Sequence, residues 1–215
     1  MEVSQIIEVA AILLCGGKNL RLGRNKALEI VGGKSLIEGV LECLEPLASQ
    51  ILIVTSKEKR DLPITGNGKV VVDIYPNKGP LGGIYTGLVA SRSLYNIVVA
   101  CDMPFPNTEL LRYMIGLSQD FDAVVPRPER GVVEPLHAIY SKNCLNKMEA
   151  HLQLNQLKVS LFLNVLRVRY VGSGECQKLD PQLLFRFNIN YQKDLEQTLA
   201  LVKDKVRYQK LNGLI

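Results

Sequence analysis

Short apolar runs alternate with segments of helical periodicity through the first 125 residues of the chain. Residues 9–15 are apolar throughout and stop at Gly16-Gly17, which predicts a buried parallel strand running into a loop. Ser35 stands where a helix cap belongs, ahead of Leu36, Ile37, Val40, Leu41 and Leu44, whose spacing makes one apolar face; Pro46 lies near the end of that helix. Further strands are predicted at 51–55, at 70–72 ending in Asp73, and at 96–101 ending in Asp102-Met103-Pro104. Between them, Pro80 opens a helix reaching about Arg92. Asn107 caps another to about Leu117, and 123–125 is the next strand. With no hairpin signal in this stretch, the alternation predicts a parallel sheet covered by helices on both faces.

Beyond residue 125 the pattern changes. Residues 132–140 read as extended, followed by helices at 141–154 and 159–166 and a strand at 167–171. A loop, a short strand at 185–189 and a final helix over 193–205 complete the expected elements, and 206–215 carry no pattern. One domain over residues 1–205 with a short tail is the resulting expectation. No internal repeat and no linker divides it.

Composition narrows the function classes. Hydrophobic residues make up 47% and charged residues 22% of the 215, ample for a buried core and unlike a disordered chain. The net charge of +5 is spread along the chain, aromatics are 6% and Trp is absent, which argues against nucleic acid as a partner and suits an anionic small molecule. No run approaches the roughly 18–20 apolar residues of a membrane span. The run at 9–15 follows Glu2 and Glu8 rather than Lys or Arg, unlike a signal peptide, and Leu14 is too bulky for a lipoprotein cleavage site before Cys15. The cysteines are odd in number, 5, with no CxxC pair, so reduced thiols in a cytoplasmic protein are expected.

The candidate chemistry lies in the loop after the first strand. In open parallel sheets ligands sit at the carboxyl ends of strands. Here Gly16, Gly17 and Gly23 let the backbone approach a ligand and turn N–H groups toward phosphate oxygens, while Lys18, Arg21, Arg24 and Lys26 supply positive charge. That combination matches a polyphosphate. Neither GxxxxGK[ST] nor GxGxxG is present, which disfavours a P-loop NTPase and a dinucleotide oxidoreductase.

Leu14, Gly16, Gly17, Arg21, Gly23 and Lys26, in the order Leu-x-Gly-Gly-x-x-x-Arg-x-Gly-x-x-Lys, resemble the signature of nucleotidyltransferases that pass a nucleotide from an NTP to a phosphorylated acceptor. Asp73 with Lys78-Gly79-Pro80-Leu81-Gly82-Gly83, then Cys101-Asp102-Met103-Pro104-Phe105, then Phe187-Asn188-Ile189-Asn190, extend the likeness to the molybdenum cofactor guanylyltransferases. The resemblance spans about residues 9–200 and implies a Rossmann-like three-layer α/β/α fold with a mostly parallel sheet. It implies transfer of GMP from GTP to molybdenum-molybdopterin with release of pyrophosphate, Mg²⁺ as cofactor, and GTP and the molybdopterin cofactor as partners, with molybdoenzymes or cofactor-delivery proteins downstream. Alternatives are a cytidylyl sibling, a sugar-phosphate or alcohol-phosphate nucleotidyltransferase, and a nucleotide-binding relative without activity. The Gly-Pro-Leu-Gly-Gly segment favours the guanine branch.

By the same resemblance Leu14, Cys15, Gly16, Gly17, Lys26, Asp73, Gly82 and Asp102 contact the nucleotide. Arg21, Lys26 and Asp102 serve catalysis by neutralising charge, and Asp102 holds the metal. Asn188 and Asn190 belong to the acceptor side in the C-terminal half, with the segment Glu134-Pro135-Leu136-His137-Ala138 near the pterin pocket. The chain departs from the family at Asn19-Leu20, at Thr55-Ser56 and at Tyr191-Gln192, where relatives carry Ser and Arg, an amide, and Thr-Pro. His137 reads as a partly buried structural histidine, His151 as a surface residue, and Phe121, Phe162 and Phe185 as core.

Overall fold

The computed structural model describes residues 7–16, 26–59 and 67–211. In chain order the strands are β1 (Val9–Leu14), β2 (Ile30–Val31), β3 (Lys34–Ser35), β4 (Gln50–Thr55), β5 (Gly68–Val72), β6 (Tyr95–Ala100), β7 (Ala123–Arg127), β8 (His137–Ser141) and β9 (Val168–Gly172). The helices are α1 (Leu36–Leu44), α2 (Gly79–Ala90), α3 (Thr108–Gly116), α4 (Leu145–Gln153), α5 (Val159–Phe162), α6 (Ser173–Leu179) and α7 (Gln192–Leu211). Seven strands form one sheet in the order β5-β4-β1-β6-β8-β7-β9. All run parallel except β8, which pairs antiparallel with both β6 and β7.

β1 lies inside that sheet with every residue buried, as its unbroken apolar sequence requires. Its odd positions, Val9, Ala11 and Leu13, face a core shared with Ile37, Val40 and Leu41 of α1 and Leu110, Leu111 and Met114 of α3. Its even positions face Leu81, Ile84 and Leu88 of α2 and Met148 and Leu152 of α4. The outcome is the expected three-layer α/β/α arrangement. α1 begins where Ser35 predicts: the Ser35 N–H donates to Glu38 Oε2 at 2.8 Å and the Glu38 N–H to Ser35 Oγ at 3.4 Å, a reciprocal cap.

α2 carries glycines for close packing on the sheet. A Cβ at Gly87 would stand 2.4 Å from Ile12 Cγ2, and Ile12 is fully enclosed. Gly87→Ala is therefore expected to destabilise the protein by about 1–2 kcal/mol net, overpacking outweighing the better helix propensity of alanine. A urea midpoint equal to or above that of the parent protein would show that Ile12 can yield.

Several expectations are corrected. A hairpin does interrupt the first half: Gly32 and Gly33, at φ 62° and 88°, connect β2 to β3, and both positive angles are those of a two-residue hairpin turn. Of 132–140 only His137 onward is strand; Val132 makes an isolated bridge to Glu129, and Pro135-Leu136 is turn. The predicted loop after β9 is largely helix α6, whose start is set by Glu175 Oε2 accepting from the Gly172 N–H at 2.8 Å. The predicted strand at 185–189 is instead a 3₁₀ turn, Leu184–Arg186. Leu183 takes left-handed φ 52°, and Asp180 Oδ2 accepts from the Phe185 N–H at 2.9 Å, which curls the segment. α7 runs to Leu211, past the expected boundary at 205. His151 is half-buried with its ring 5.2 Å from that of Phe162, rather than on the surface. Phe162 and Phe185 are core, whereas Phe121 is half-buried beneath the Arg167 guanidinium, 5.8 Å from its ring centre.

Candidate nucleotide and acceptor site

The carboxyl ends of β1, β4, β5 and β6 share one edge of the sheet, and among the described residues Leu14, Cys15, Gly16, Asp73 and Asp102 stand at or just past those ends. Past the last strand pairs, the Cys15 N–H still donates to the Val54 carbonyl at 2.8 Å and the Cys101 N–H to the Leu14 carbonyl at 3.1 Å. Leu14, Cys15 and Gly16 are thereby held beside Cys101 and Asp102. Among the described residues no heavy atom lies within 4 Å of where a Cβ at Gly16 would sit. Gly17 and Arg21 lie outside the described residues. Lys26 opens a 3₁₀ turn, Lys26–Leu28, that leads into the β2–β3 hairpin.

Asp73 follows β5, its N–H bonded to the Thr55 carbonyl at 2.8 Å. Its Oδ1 accepts from the Tyr75 N–H at 2.9 Å and the Thr86 hydroxyl at 2.7 Å, which ties residues 73–78 to α2 and fixes the plane of the carboxylate. Thr86, a hydroxyl within an apolar helix, is an anchor that the motif reading missed. Gly82 serves that same loop: a Cβ there would lie 2.8 Å from the Tyr75 carbonyl oxygen and 3.0 Å from Lys78 Cβ. Its smallness admits the loop. Gly83 makes the equivalent room for Leu14, 3.1 Å from Leu14 Cδ2, so the first turn of α2 lies over the end of β1. Lys78 Nζ reaches Asn155 Oδ1 at 3.0 Å and pins the loop to the end of α4. Thr55 is buried, with its hydroxyl 3.5 Å from the Cys15 carbonyl.

The acceptor-side segment closes on the same edge. The Ile189 N–H donates to the Asp102 carbonyl at 2.8 Å, which sets Asn188 and Asn190 on either side of that contact. Ile189 is buried with Leu36 and Leu195, while both asparagines are half-buried. Asn188 Nδ2 donates to the Arg186 carbonyl at 2.9 Å, and the Asn190 and Tyr191 N–H groups both donate to Asp194 Oδ2 at 2.8 Å, starting α7.

Glu134 adds a second carboxylate. The antiparallel register of β6 and β8 pairs Val99 with His137, and the Ala100 N–H donates to the Leu136 carbonyl at 3.2 Å; continued outward, this places Glu134 opposite Asp102. Burial pushes the Glu134 carboxyl up to about 7. The Leu136 N–H, 3.3 Å from Oε1, and the nearby Arg186 oppose that rise, and the charge on Asp102 adds to it. Arg186 is itself paired with Glu129 at 2.5 Å. A Glu-Pro step just ahead of a buried strand was the available signal.

His137 is wholly buried, beyond the partial burial expected. Its Nε2 accepts from the Asn107 N–H at 3.1 Å and its ring lies 5.1 Å from Phe185. Nδ1 is enclosed and has no hydrogen-bond partner among the described residues. Burial holds this imidazole down at about 4, hence neutral. Asn107 also caps α3 through Oδ1 to the Leu110 N–H at 2.8 Å, so one contact locks β8 to α3 beneath the site.

Among the described residues no helix is long and apolar enough to cross a membrane. Comparison with known proteins fits this geometry. A curated relative from Pelotomaculum thermopropionicum, named probable molybdenum cofactor guanylyltransferase, is 34% identical over 200 residues, covering 93% of this chain and 96% of its own. The molybdenum cofactor guanylyltransferase of Desulfosudis oleivorans is 33% identical, covering 91% and 96%. The crystal structure of molybdopterin-guanine dinucleotide biosynthesis protein A from Archaeoglobus fulgidus superposes with a TM-score of 0.79 at 29% identity, over 91% of this chain and 99% of that one. The model of the MobA-like NTP transferase domain matches residues 11–166, and the chain belongs to that family.

Proposed function

We propose that the protein transfers GMP from GTP to the phosphate of molybdenum-bound molybdopterin, forming the guanine dinucleotide cofactor and pyrophosphate. One observation carries this reading. The Asp102 turn is bonded on one side to the end of β1, through Cys101 and Leu14, and on the other to Ile189 between Asn188 and Asn190. A nucleotide on the first side and an acceptor on the second would meet at Asp102.

In the transfer, an oxygen of the acceptor phosphate bonds to the α-phosphorus of GTP while the bond to the leaving pyrophosphate breaks. Negative charge builds on the leaving group, so positioning and charge neutralisation are what the protein must supply. Gly16 and Gly17 offer backbone N–H groups to the triphosphate, and Arg21 and Lys26 offer positive charge. The acceptor phosphate is already ionised near neutral pH and needs no base, which leaves His137 free for its structural role. The reaction belongs in the cytoplasm, where GTP is supplied.

The donor set at this edge suits Mg²⁺. The Asp102 carboxylate is a hard oxygen ligand, and the amide oxygens of Asn188 and Asn190 are of the same chemical kind. When bound, Mg²⁺ would supply charge neutralisation to the triphosphate. Asp102 would hold it, with Asn188 or Asn190 beside.

Base choice tests the reading. Guanine presents donors at N1 and N2, which a carboxylate fixed as Asp73 is can accept, whereas cytosine has a different donor pattern. A mismatched buried polar group costs about 1–3 kcal/mol, so GTP is expected to be preferred over CTP by at least about tenfold in kcat/KM with the molybdenum-pterin acceptor present. Equal or better use of CTP would transfer the assignment to the cytidylyl reaction.

A further inference from the structure

We propose that Cys15 and Cys101 are a thiol pair, a modification site at the mouth of the nucleotide pocket that closes to a disulfide on reaction with a hydroperoxide. The register of the two central strands carries the inference. β1 and β6 pair in parallel with Leu13 opposite Val99 and Leu14 opposite Ala100. The bond from the Cys101 N–H to the Leu14 carbonyl, 3.1 Å, continues the ladder by one step and sets Cys15 beside Cys101. Both residues meet one core: Cys15 belongs to it with Ala11, Leu13, Ile97, Val99 and Ala100, and Cys101 packs against it.

Neighbouring strands lie about 4.8 Å apart, inside the roughly 4.4–6.8 Å Cα separation that a disulfide spans. Each residue sits one position past its strand's end, where the ladder constrains it least. Both are present as thiols. Cys101 is half-buried and gives access, while Cys15 is buried behind it. Burial pushes the thiols of Cys144 and Cys176 up to about 12 and about 11, so neither competes as a thiolate.

The chemistry balances with the hydroperoxide as oxidant. The Cys101 thiolate attacks the O–O bond; an S–O bond forms, the O–O bond breaks, and the peroxide leaves reduced as water or an alcohol, with Cys101 oxidised to the sulfenic acid. The Cys15 sulfur then bonds to the Cys101 sulfur, the S–O bond breaks, and water departs with the Cys15 proton. A dithiol reverses the change. Drawing the two chains together shifts Gly16 and Asp102, which follow them, so nucleotide binding should fall; this consequence rests on the nucleotide reading above.

The test treats the full chain with hydrogen peroxide and follows intact mass, disulfide mapping and GTP affinity by calorimetry. The expected result is a loss of about 2 Da, a Cys15–Cys101 cross-linked peptide, and at least about a tenfold loss of GTP affinity that dithiothreitol restores. Cys101→Ser should bind GTP within about twofold of the parent protein and show neither the mass loss nor the peroxide effect. Oxygen addition at Cys101 without a cross-link, a different pairing, or a cross-linked protein with unchanged GTP affinity would overturn the proposal. Failure of the reduced parent protein to bind GTP would count against the nucleotide reading instead, because the mass and mapping arms judge the thiol pair without reference to GTP.

Discussion

Asp102→Ala is expected to lower GMP transfer by at least about a hundredfold while leaving a folded protein, the scale seen when one group stabilising transition-state charge is lost. The Asp102 carbonyl accepts from the Ile189 N–H at 2.8 Å, a backbone bond that alanine preserves. The side chain also bears on Glu134, whose carboxyl it helps to push upward. Removing one of two neighbouring carboxylates relieves that repulsion, so stability should be unchanged or slightly higher. The measurements are kcat/KM with GTP, Mg²⁺ and acceptor, together with a urea midpoint. Transfer near the parent rate would remove Asp102 from the reaction. A collapsed midpoint with lost activity would mean that the side chain supports the fold; Asp102→Asn, which keeps the shape and drops the charge, separates these outcomes.

The parts of the fold that could be read in advance are those where a local pattern and the tertiary environment agree. β1 is apolar because both faces of it are covered, and α1 starts at Ser35 because Ser35 and Glu38 satisfy each other's backbone groups. The failures came where long-range partners decide. Gly172-Ser173-Gly174 looks like a loop in isolation, yet Glu175 bonds to the Gly172 N–H and pairs with Arg169 at 2.7 Å, and α6 forms. Phe185 and Ile189 alternate as in a strand, yet Asp180 and a left-handed Leu183 curl that stretch. At the site, glycines and strand-end carboxylates announced themselves through position. Glu134 was legible only as part of an acceptor-side segment; that it faces Asp102 depends on β8 entering the sheet antiparallel, an insertion that no local pattern encodes.

Buried His137 and half-buried Glu134 titrate in opposite directions, and substituting one should expose the other. His137 protonates near 6.5 when unfolded but only near 4 when folded, because the charged ring would be desolvated and its Nε2 could no longer accept from the Asn107 N–H. From pH 6.5 downward the unfolded chain therefore gains a proton that the folded one refuses, and stability falls with acidification. Glu134 does the reverse. Its folded value of about 7 lies above the ordinary 4.5, so from pH 7 downward the folded chain takes the proton first and stability rises with acidification. At about 1.4 kcal/mol per pH unit, each effect reaches about 2–3 kcal/mol at pH 5, with opposite signs. The parent protein, free of ligands, should thus change by less than about 1 kcal/mol between pH 7 and 5. Glu134→Gln loses the compensating rise and should lose about 2 kcal/mol over the same interval, most of it below pH 6.5. Urea unfolding at half-unit steps gives both curves. Parallel curves would mean that Glu134 ionises as an ordinary surface carboxylate, and a flat Glu134→Gln curve would mean that His137 takes up its proton within the fold.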